Sequence, residues 1–207
     1  MTLYKYKNLY GDGLLHALDI IVNKRIYLST CSEMNDTEEG DWDGEEIYNQ
    51  NSFNITYELR NKVNSIRFTS LTDTCTDVLL WAYYAGGFSG VVFEFEINEN
   101  KYDIRKMKYD GKAKLSLDQM KKIIDGEIKV MDTGILISKA PSWTNENEYR
   151  LFHECNSDNP YIEIVIKKVI FGLKGEKIYA ALRDIVRKYE IPVNYLNKNS
   201  KNEYIIC

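Results

Sequence analysis

Strand-like segments recur along the whole chain, and helical segments separate them at irregular intervals. The clearest strand signal is the run Val91-Val92-Phe93-Glu94-Phe95-Glu96-Ile97, in which β-branched and aromatic residues dominate. The order of segments around it shows no regular strand–helix–strand alternation, which favours an α+β fold over a doubly wound parallel sheet. The other predicted strands cover residues 4–6, 25–29, 65–71, 148–152 and 162–171, with an edge strand at 204–206.

Helical spacing of apolar residues marks the intervening segments. Leu14, Leu15, Leu18, Ile21 and Val22 follow this spacing and predict a first helix. A short helix is expected over 77–84, because Gly86-Gly87 then interrupts the pattern. Further helices are predicted over 45–62, at the end of the basic stretch 101–129, and over 176–189.

Length and composition fit one domain. A chain of 207 residues with 44% apolar and 28% charged side chains is of ordinary globular composition, and it buries roughly 70% of its extended surface by size scaling. The net charge of -4 gives no global field that would indicate a nucleic-acid or membrane partner. Since linkers and repeats are not apparent, we expect a single domain over 1–207, with a C-terminal helix and edge strand in 175–207.

The N-terminus and the cysteines indicate the compartment. Residues 1–6 lack the apolar core of a signal peptide, and no apolar stretch approaches the ~18 residues that span a bilayer. Cys31, Cys75, Cys155 and Cys207 are isolated from one another in sequence, which favours free thiols over a disulfide framework. A cytoplasmic protein without a membrane partner is therefore predicted.

Metal-binding patterns are weak. Glu39, Asp41, Asp43 and Gly44 match the first positions of a calcium loop, but Gln50 occupies the position that needs a bidentate carboxylate. A solvated acidic loop over 33–46 is the preferred interpretation, and no metal is expected. Glu127-Ile128-Lys129 has the letters of a metal-dependent nuclease motif but is predicted to lie on a helix, so a nuclease is kept as a second alternative.

Nucleotide-loop and histidine motifs are also missing. No glycine-rich phosphate loop occurs, and His16 and His153 are the only histidines. His153 and Cys155 are two residues apart on one predicted strand, so they share a face and do not converge as a Cys–His pair.

Three groups of polar and aromatic residues stand out instead. Asn35-Asp36 follows the second strand, where turn chemistry alone would explain it. Trp81 and Tyr84 precede Gly90, and packing of an aromatic helix against the core would explain both residues without a function. In the third group Glu146, Glu148 and Arg150 alternate onto one face of an extended segment, and Lys139 and Trp143 precede them. An exposed strand with a Glu–Arg ion pair would explain this group without any function.

In chain order these groups resemble one bacterial family, catalogued as domain of unknown function 2971. The resemblance covers residues 3–172. One departure is Tyr83, where members often carry histidine, so no imidazole role is carried over to this position. The matching residues are Leu3 to Tyr6, then Asn35, Asp36 and Glu39, then Trp81, Tyr84 and Gly90, and finally Lys139, Trp143, Glu146, Glu148 and Arg150.

The layout of strands and polar residues also resembles a diverged ADP-ribosyltransferase. This implies a twisted, mostly antiparallel split sheet with NAD, as substrate, in a cleft between its halves. A late-strand carboxylate would hold the nicotinamide ribose and stabilise oxocarbenium charge, which matches Glu148, while Glu146 would activate or orient the acceptor. The remaining roles implied are ribose and amide contacts from Lys5 or Tyr6 and from Ser29 or Thr30, stacking by Tyr84 or Trp81, and pairing of Arg150 with a carboxylate or a pyrophosphate.

The predicted function is therefore that of an NAD-consuming ADP-ribosyltransferase-like protein, a bacterial toxin or phage-defence effector. Its partners would be a protein or nucleic-acid acceptor and a partner or antitoxin protein. The alternative is a non-catalytic interaction or sensor module of a defence system, in which Trp81, Tyr84 and Glu148 organise a core or a peptide groove.

Overall fold

The computed structural model of the protein describes residues 1–44, 50–153 and 159–207. Within these ranges the α-helices are α1 Asp12–Asn23, α2 Gln50–Asn64, α3 Val78–Tyr83, α4 Leu117–Ile124 and α5 Glu176–Lys188. The strands are β1 Thr2–Lys7, β2 Arg25–Tyr27, β3 Trp42–Gly44, β4 Phe68–Thr72, β5 Val91–Glu96, β6 Asp103–Lys106, β7 Ala113–Leu115, β8 Glu148–Phe152, β9 Tyr161–Glu163, β10 Val165–Phe171, β11 Val193–Lys198 and β12 Tyr204–Ile206.

One large sheet organises the molecule. Its strand order is β12-β11-β10-β5-β1-β4-β8-β6, and β2-β9 and β3-β7 form two small sheets. The pairings are antiparallel except for β10 with β11 and β3 with β7. The predicted α+β class with a mostly antiparallel sheet is confirmed.

The large sheet has a narrow junction near its middle. Strand β1 pairs with β5 along six positions, from Thr2 to Lys7, but with β4 only where Tyr4 faces Thr72. The strands on the two sides of this junction nevertheless belong to one continuous hydrogen-bonded sheet, and the expected division into two half-sheets stays a prediction. Beyond Tyr4 the two strands diverge, and the side chain of Lys5 reaches across to Thr69 and Ser70 on β4.

Alternation along the strands places apolar side chains on both faces of the sheet. Phe93 and Phe95 belong to a buried cluster with α1 and α5, whereas the intervening Val92 packs in a separate cluster with Trp81 of α3. Each such aromatic or branched side chain contributes about 1.5–3 kcal/mol when fully buried. The sheet and the helices that flank it are held by these clusters.

Most predicted elements are present, and the differences have local causes. Helices α1 and α5 and strand β8 match their predicted positions closely. In the basic stretch 101–129 the strands β6 and β7 precede α4, and the predictions missed both because charged residues mask their alternation. Strand β11 was also missed, because Asn194 and Asn197 lower the β-propensity of its sequence. The predicted helix over 45–62 begins at Gln50 within the described part of the chain, and residues 45–49 lie outside it.

Two further expectations concern the nuclease motif and the membrane. Glu127 lies in an exposed bend after α4, so the prediction that this motif is helical is wrong. Among the described residues, no helix combines the length and the apolar character needed to cross a bilayer.

Candidate active-site cleft

A buried network of charged side chains lies on the face of β8 that carries Glu148 and Arg150. Lys139 and Glu146 reach it from the segment before β8, and Glu39 reaches it from the acidic segment. The network joins residues that the sequence analysis selected as separate groups. Its charges sum to one negative, from three carboxylates against Lys139 and Arg150.

Arg150 is the buried anchor of this network. Its two terminal nitrogens donate to the two carboxylate oxygens of Glu39, each at 2.6 Å, and its Nε donates to Glu148 Oε1 at 2.9 Å. The Leu136 carbonyl accepts a further bond at 2.7 Å, and the guanidinium lies 4.4 Å from the Phe68 ring centroid. Such bidentate pairing uses the fixed fork geometry of arginine fully.

This burial corrects three expectations. Arg150 is 0% exposed, so its assignment to NAD or pyrophosphate binding is wrong, whereas the carboxylate pairing left open for it is found. The Glu148–Arg150 pair is not an exposed strand pair, since Glu148 is only 3% exposed. The solvated-loop prediction fails at Glu39, which is buried and accepts hydrogen bonds from Arg150 at both carboxylate oxygens.

Glu148 is held at both of its oxygens. Oε1 accepts hydrogen bonds from Ser70 Oγ at 2.6 Å and from Arg150, and Oε2 accepts one from Lys139 Nζ at 2.7 Å. Burial alone would raise the pKa of this carboxyl, but Arg150 and Lys139 together hold it well below its usual range. Glu148 is thus a fixed negative charge near neutral pH.

Glu146 is the more accessible carboxylate. It ends the 3-10 helix Pro141–Glu146, accepts a hydrogen bond from the Tyr84 hydroxyl, and accepts another from Lys139 Nζ at 2.9 Å. Its side chain is 11% exposed, against 4% for Glu148. Asn147, between the two, adopts a left-handed conformation with φ of 43°, which asparagine tolerates. Both carboxylates can therefore meet the same lysine.

Lys139 connects the two carboxylates. Burial lowers the pKa of its amine, but Glu148 and Glu146 outweigh burial and raise it. The Trp143 ring lies 5.5 Å from Nζ and is partly exposed. Burial, followed by the bond to Glu146, raises the pKa of Tyr84, so its hydroxyl stays protonated and donates. The predicted group around Lys139 is therefore a single charge-paired unit.

A cleft of about 340 Å³ opens beside the network, at the place where β1 and β4 diverge. Its volume lies within the usual range for small-molecule sites. Among predicted site residues it includes Lys5, Tyr6, Asn35, Tyr84, Lys139, Glu146 and Glu148. The rest of the lining comes from Tyr4, Lys7, Asn8, Glu33, Met34, Ser70, Leu71, Thr72, Leu80 and Tyr83.

Lys5 and Tyr6 contribute differently to this lining. Lys5 Nζ donates to Thr69 Oγ1 at 2.7 Å and to the Ser70 carbonyl at 3.0 Å. Burial and the neighbouring Lys7 lower the pKa of Lys5 to about 7, and Glu148 offsets only part of the shift. Tyr6 is 8% exposed and donates to the Thr74 carbonyl at 3.2 Å, so its hydroxyl is already engaged.

Three predicted NAD contacts lie away from the cleft. Trp81 is 0% exposed, donates to the Cys75 carbonyl at 2.8 Å and stacks on Phe88, so the stacking role assigned to it is wrong and only Tyr84 keeps it. Ser29 forms a backbone bridge with Phe68, and Thr30 caps the 3-10 helix Cys31–Glu33. Neither Ser29 nor Thr30 lines the cleft, and the contacts with NAD that were assigned to them stay predictions.

The remaining motif residues have local roles. The Asp36 carboxylate accepts a hydrogen bond from the Glu38 backbone at 2.9 Å, which is the turn chemistry that its sequence suggested. Gly90 allows close packing of chain segments, because a Cβ there would lie 2.2 Å from the Lys7 carbonyl oxygen. Asn35 is exposed at the cleft.

Ser70, Tyr109 and Lys7 are site residues that the sequence analysis did not select. Ser70 bonds Glu148, and Tyr109 Oη accepts the Glu148 backbone N–H at 2.7 Å. Ser70 had no distinguishing signal in the sequence, because it is one of three hydroxyl residues in the segment Phe68–Thr72. Lys7 continues the alternation of Lys5 along β1.

A second groove, of about 640 Å³, lies between the end of α2, the segment after α4 and the end of β8. It contains none of the predicted NAD-site residues. Lys62 in its wall donates to the carbonyls of Ile123 and Ile124, and Arg67 donates to the Leu28 carbonyl. Within the part of the chain that is described, no group of three or more His, Cys, Asp or Glu side chains is arranged to hold a metal ion, and Cys155 lies outside that part.

Comparisons with family models, with curated proteins and with solved structures find no match for this chain. The resemblances described above remain predictions that rest on the residues quoted for them.

Proposed function

We propose that the cleft binds NAD and that the protein transfers ADP-ribose to an acceptor with release of nicotinamide, as a toxin or phage-defence effector would. The observation that carries the proposal is the pair Glu146 and Glu148, held on Lys139 at a tyrosine-lined cleft. Cleavage of the ribose–nicotinamide bond develops oxocarbenium charge, and a carboxylate that is already ionised and fixed stabilises such charge without reorganisation.

The two carboxylates would divide the work by their accessibility. Glu146, the more exposed, would contact the ribose or the incoming acceptor hydroxyl or amine. Glu148 would stabilise the developing charge without contacting the substrate and would position Lys139, since both of its oxygens already accept hydrogen bonds from the protein. The ribose contact that the resemblance implies for Glu148 is thus moved to Glu146, because both oxygens of Glu148 already accept hydrogen bonds from the protein.

The cleft walls support a ligand of this chemistry. Tyr84 presents an aromatic ring beside Glu146, and Tyr83, 73% exposed, stands next to it. Aromatic faces at a cleft suit a planar cationic ring such as nicotinamide. The bond that breaks joins the ribose C1′ to the nicotinamide nitrogen, nicotinamide keeps the electron pair, and the acceptor loses its proton on attacking C1′.

The test is nicotinamide release from NAD, with cell lysate present as a source of acceptors. Wild type and the control Glu163→Gln, which alters an exposed carboxylate on β9, should release nicotinamide at equal rates. Glu146→Gln should lower the rate by roughly 10²–10³, the usual effect of removing one charge-stabilising group. Absence of release at high protein concentration, together with an unchanged melting temperature in NAD, would overturn the proposal.

A non-catalytic interaction module is the second candidate, and one observation favours it. Every oxygen of Glu39 and Glu148 is bonded to another side chain, as in a network that only stabilises a fold. On this view Glu148→Gln lowers stability while nicotinamide is released by neither protein. The same assay therefore separates the two candidates.

A further inference from the structure

Six charged residues line the cleft, and the side chains of four of them are paired. Lys139 binds Glu146 and Glu148 at 2.9 and 2.7 Å. Glu33 accepts hydrogen bonds from the Thr30 backbone at 2.9 Å and from the Tyr27 hydroxyl at 2.8 Å, and it faces Arg67. The three carboxylates of the lining therefore all accept hydrogen bonds from other groups, and none of them is paired with the two amines that remain.

Those two amines belong to Lys5 and Lys7. In the described ranges neither has a carboxylate within ion-pair distance, and the Nζ of Lys5 bonds only to the neutral oxygens of Thr69 and Ser70. Being two residues apart on β1, the side chains share a face and their Cα atoms lie about 6.6 Å apart. Lys5 thereby keeps one N–H free, and no side-chain hydrogen bond or ion pair of the Lys7 amine is found among the described residues.

Two neighbouring amines without a counter-charge are costly to bury. Burial lowers the pKa of both groups, and Lys7 lowers that of Lys5 further. Glu148 raises the pKa of Lys5, but Arg150 and Lys139 already neutralise this carboxylate. An anion held between the two amines would remove this cost, because each amine would then be charged and paired.

We propose that Lys5 and Lys7 form a binding site for a phosphate or diphosphate group in the cleft. Lysine binds phosphate as a point charge with freely rotating donors, so no rigid fork is required of the chain. The inference rests on the proposed function in that NAD carries such a diphosphate. The anion site is nevertheless tested by binding alone, without catalytic turnover.

The experiment is calorimetric titration of the full chain with inorganic phosphate, pyrophosphate and ADP-ribose at about pH 7.5, in two buffers of different ionisation enthalpy. Pyrophosphate should bind with net proton uptake, since the anion favours the charged form of Lys5. Lys7→Met should weaken binding by roughly 10-fold or more, the scale of one charge-assisted contact. Lys5→Met should weaken binding similarly and should abolish the proton uptake. Lys201→Met, at an exposed turn, is the matched control and should bind as wild type does.

The ligand series identifies the source of the anion. ADP-ribose that binds more tightly than pyrophosphate indicates a dinucleotide, and equal affinities indicate a free polyphosphate; both results support the site. Failure of all three to bind, or equal affinity of the two lysine variants and wild type, would overturn it. Pyrophosphate binding with neither nicotinamide release nor a change of melting temperature in NAD rejects the proposed function alone. Nicotinamide release with unchanged anion binding by the Lys5 and Lys7 variants rejects this site alone.

Discussion

Arg150 and Glu39 are separated by 111 residues in sequence and meet in a bidentate ion pair, with both nitrogen–oxygen distances at 2.6 Å. The pair holds the acidic segment against β8, and Arg150 also donates to Glu148, the carboxylate that borders the cleft. The geometry of Glu148 therefore depends on a residue that does not line the cleft. Removing either partner leaves the other buried without its counter-charge.

Glu39→Gln should consequently destabilise the protein. We expect the free energy of unfolding to fall by about 3–5 kcal/mol, the usual result of breaking a buried ion pair from one side. Urea unfolding at neutral pH measures this change. Asp41→Asn is the matched control, because Asp41 pairs with Arg60 at 2.8 Å and with Lys112 at 3.4 Å through side chains that are 29%, 40% and 33% exposed. Such exposed pairs are each worth less than about 1 kcal/mol. Equal losses in the two variants would show that the Arg150 pair has no special weight.

Gly90→Ala tests the close approach of chain segments beside β1. The added Cβ would lie 2.2 Å from the Lys7 carbonyl and 2.8 Å from the Ala85 carbonyl, and both are backbone atoms that cannot rotate away. We expect a loss of more than about 2 kcal/mol in the free energy of unfolding. Gly87→Ala is the control, since Gly87 has open space and a φ of +64°, so only backbone strain of about 1 kcal/mol applies. A smaller loss at Gly90 than at Gly87 would contradict the packing role.

Lys5 should make stability depend on pH. The unfolded chain keeps the lysine proton up to about pH 10.4, whereas the folded protein releases it near the pKa of about 7. Between these values the unfolded state binds more protons, so the contribution of Lys5 to the free energy of unfolding rises with pH. Below pH 7 the cost of burying the charged amine is fully present.

Lys5→Met removes this cost. The variant should gain stability over wild type at about pH 6 and lose most of that gain by about pH 9, a change of roughly 1–3 kcal/mol after allowance for partial exposure. Urea unfolding of both proteins across this range measures it, with Lys201→Met as the control that shows no such trend. A difference between Lys5→Met and wild type that stays constant with pH would mean that Lys5 is charged throughout.

The sequence predicted the elements of this fold better than the environment of its charged residues. Strand β8 and helices α1 and α5 carry strong local periodicity, and their predicted and observed bounds agree closely. The burial of Arg150 and Glu39 has no local signal, because it depends on pairing between segments 111 residues apart. Isolated charged residues are ordinarily exposed, so sequence alone favoured solvated positions for both.

In the candidate site, too, the sequence predicted what local patterns determine and missed what depends on tertiary structure. The motif residues Lys139, Glu146 and Glu148 were selected together and do converge. Trp81 was misplaced because an aromatic residue on a short helix has the same pattern whether it faces a cleft or a core. Ser70 and Lys7 were missed because the divergence of β1 from β4, which exposes the cleft, is a tertiary property of two strands.

Tyr84→Phe tests whether the hydroxyl on Glu146 matters for chemistry or only for packing. The variant keeps the aromatic ring and loses the donor to Glu146, so stability should change by less than about 1.5 kcal/mol. If Glu146 contacts the substrate, its less ordered carboxylate should lower kcat for nicotinamide release by roughly 10-fold while KM changes little. Tyr83→Phe is the control, because that hydroxyl belongs to a side chain that is 73% exposed. An equal loss of kcat in both variants, or a rise in KM alone for Tyr84→Phe, would indicate that the ring environment and not the position of Glu146 sets the rate.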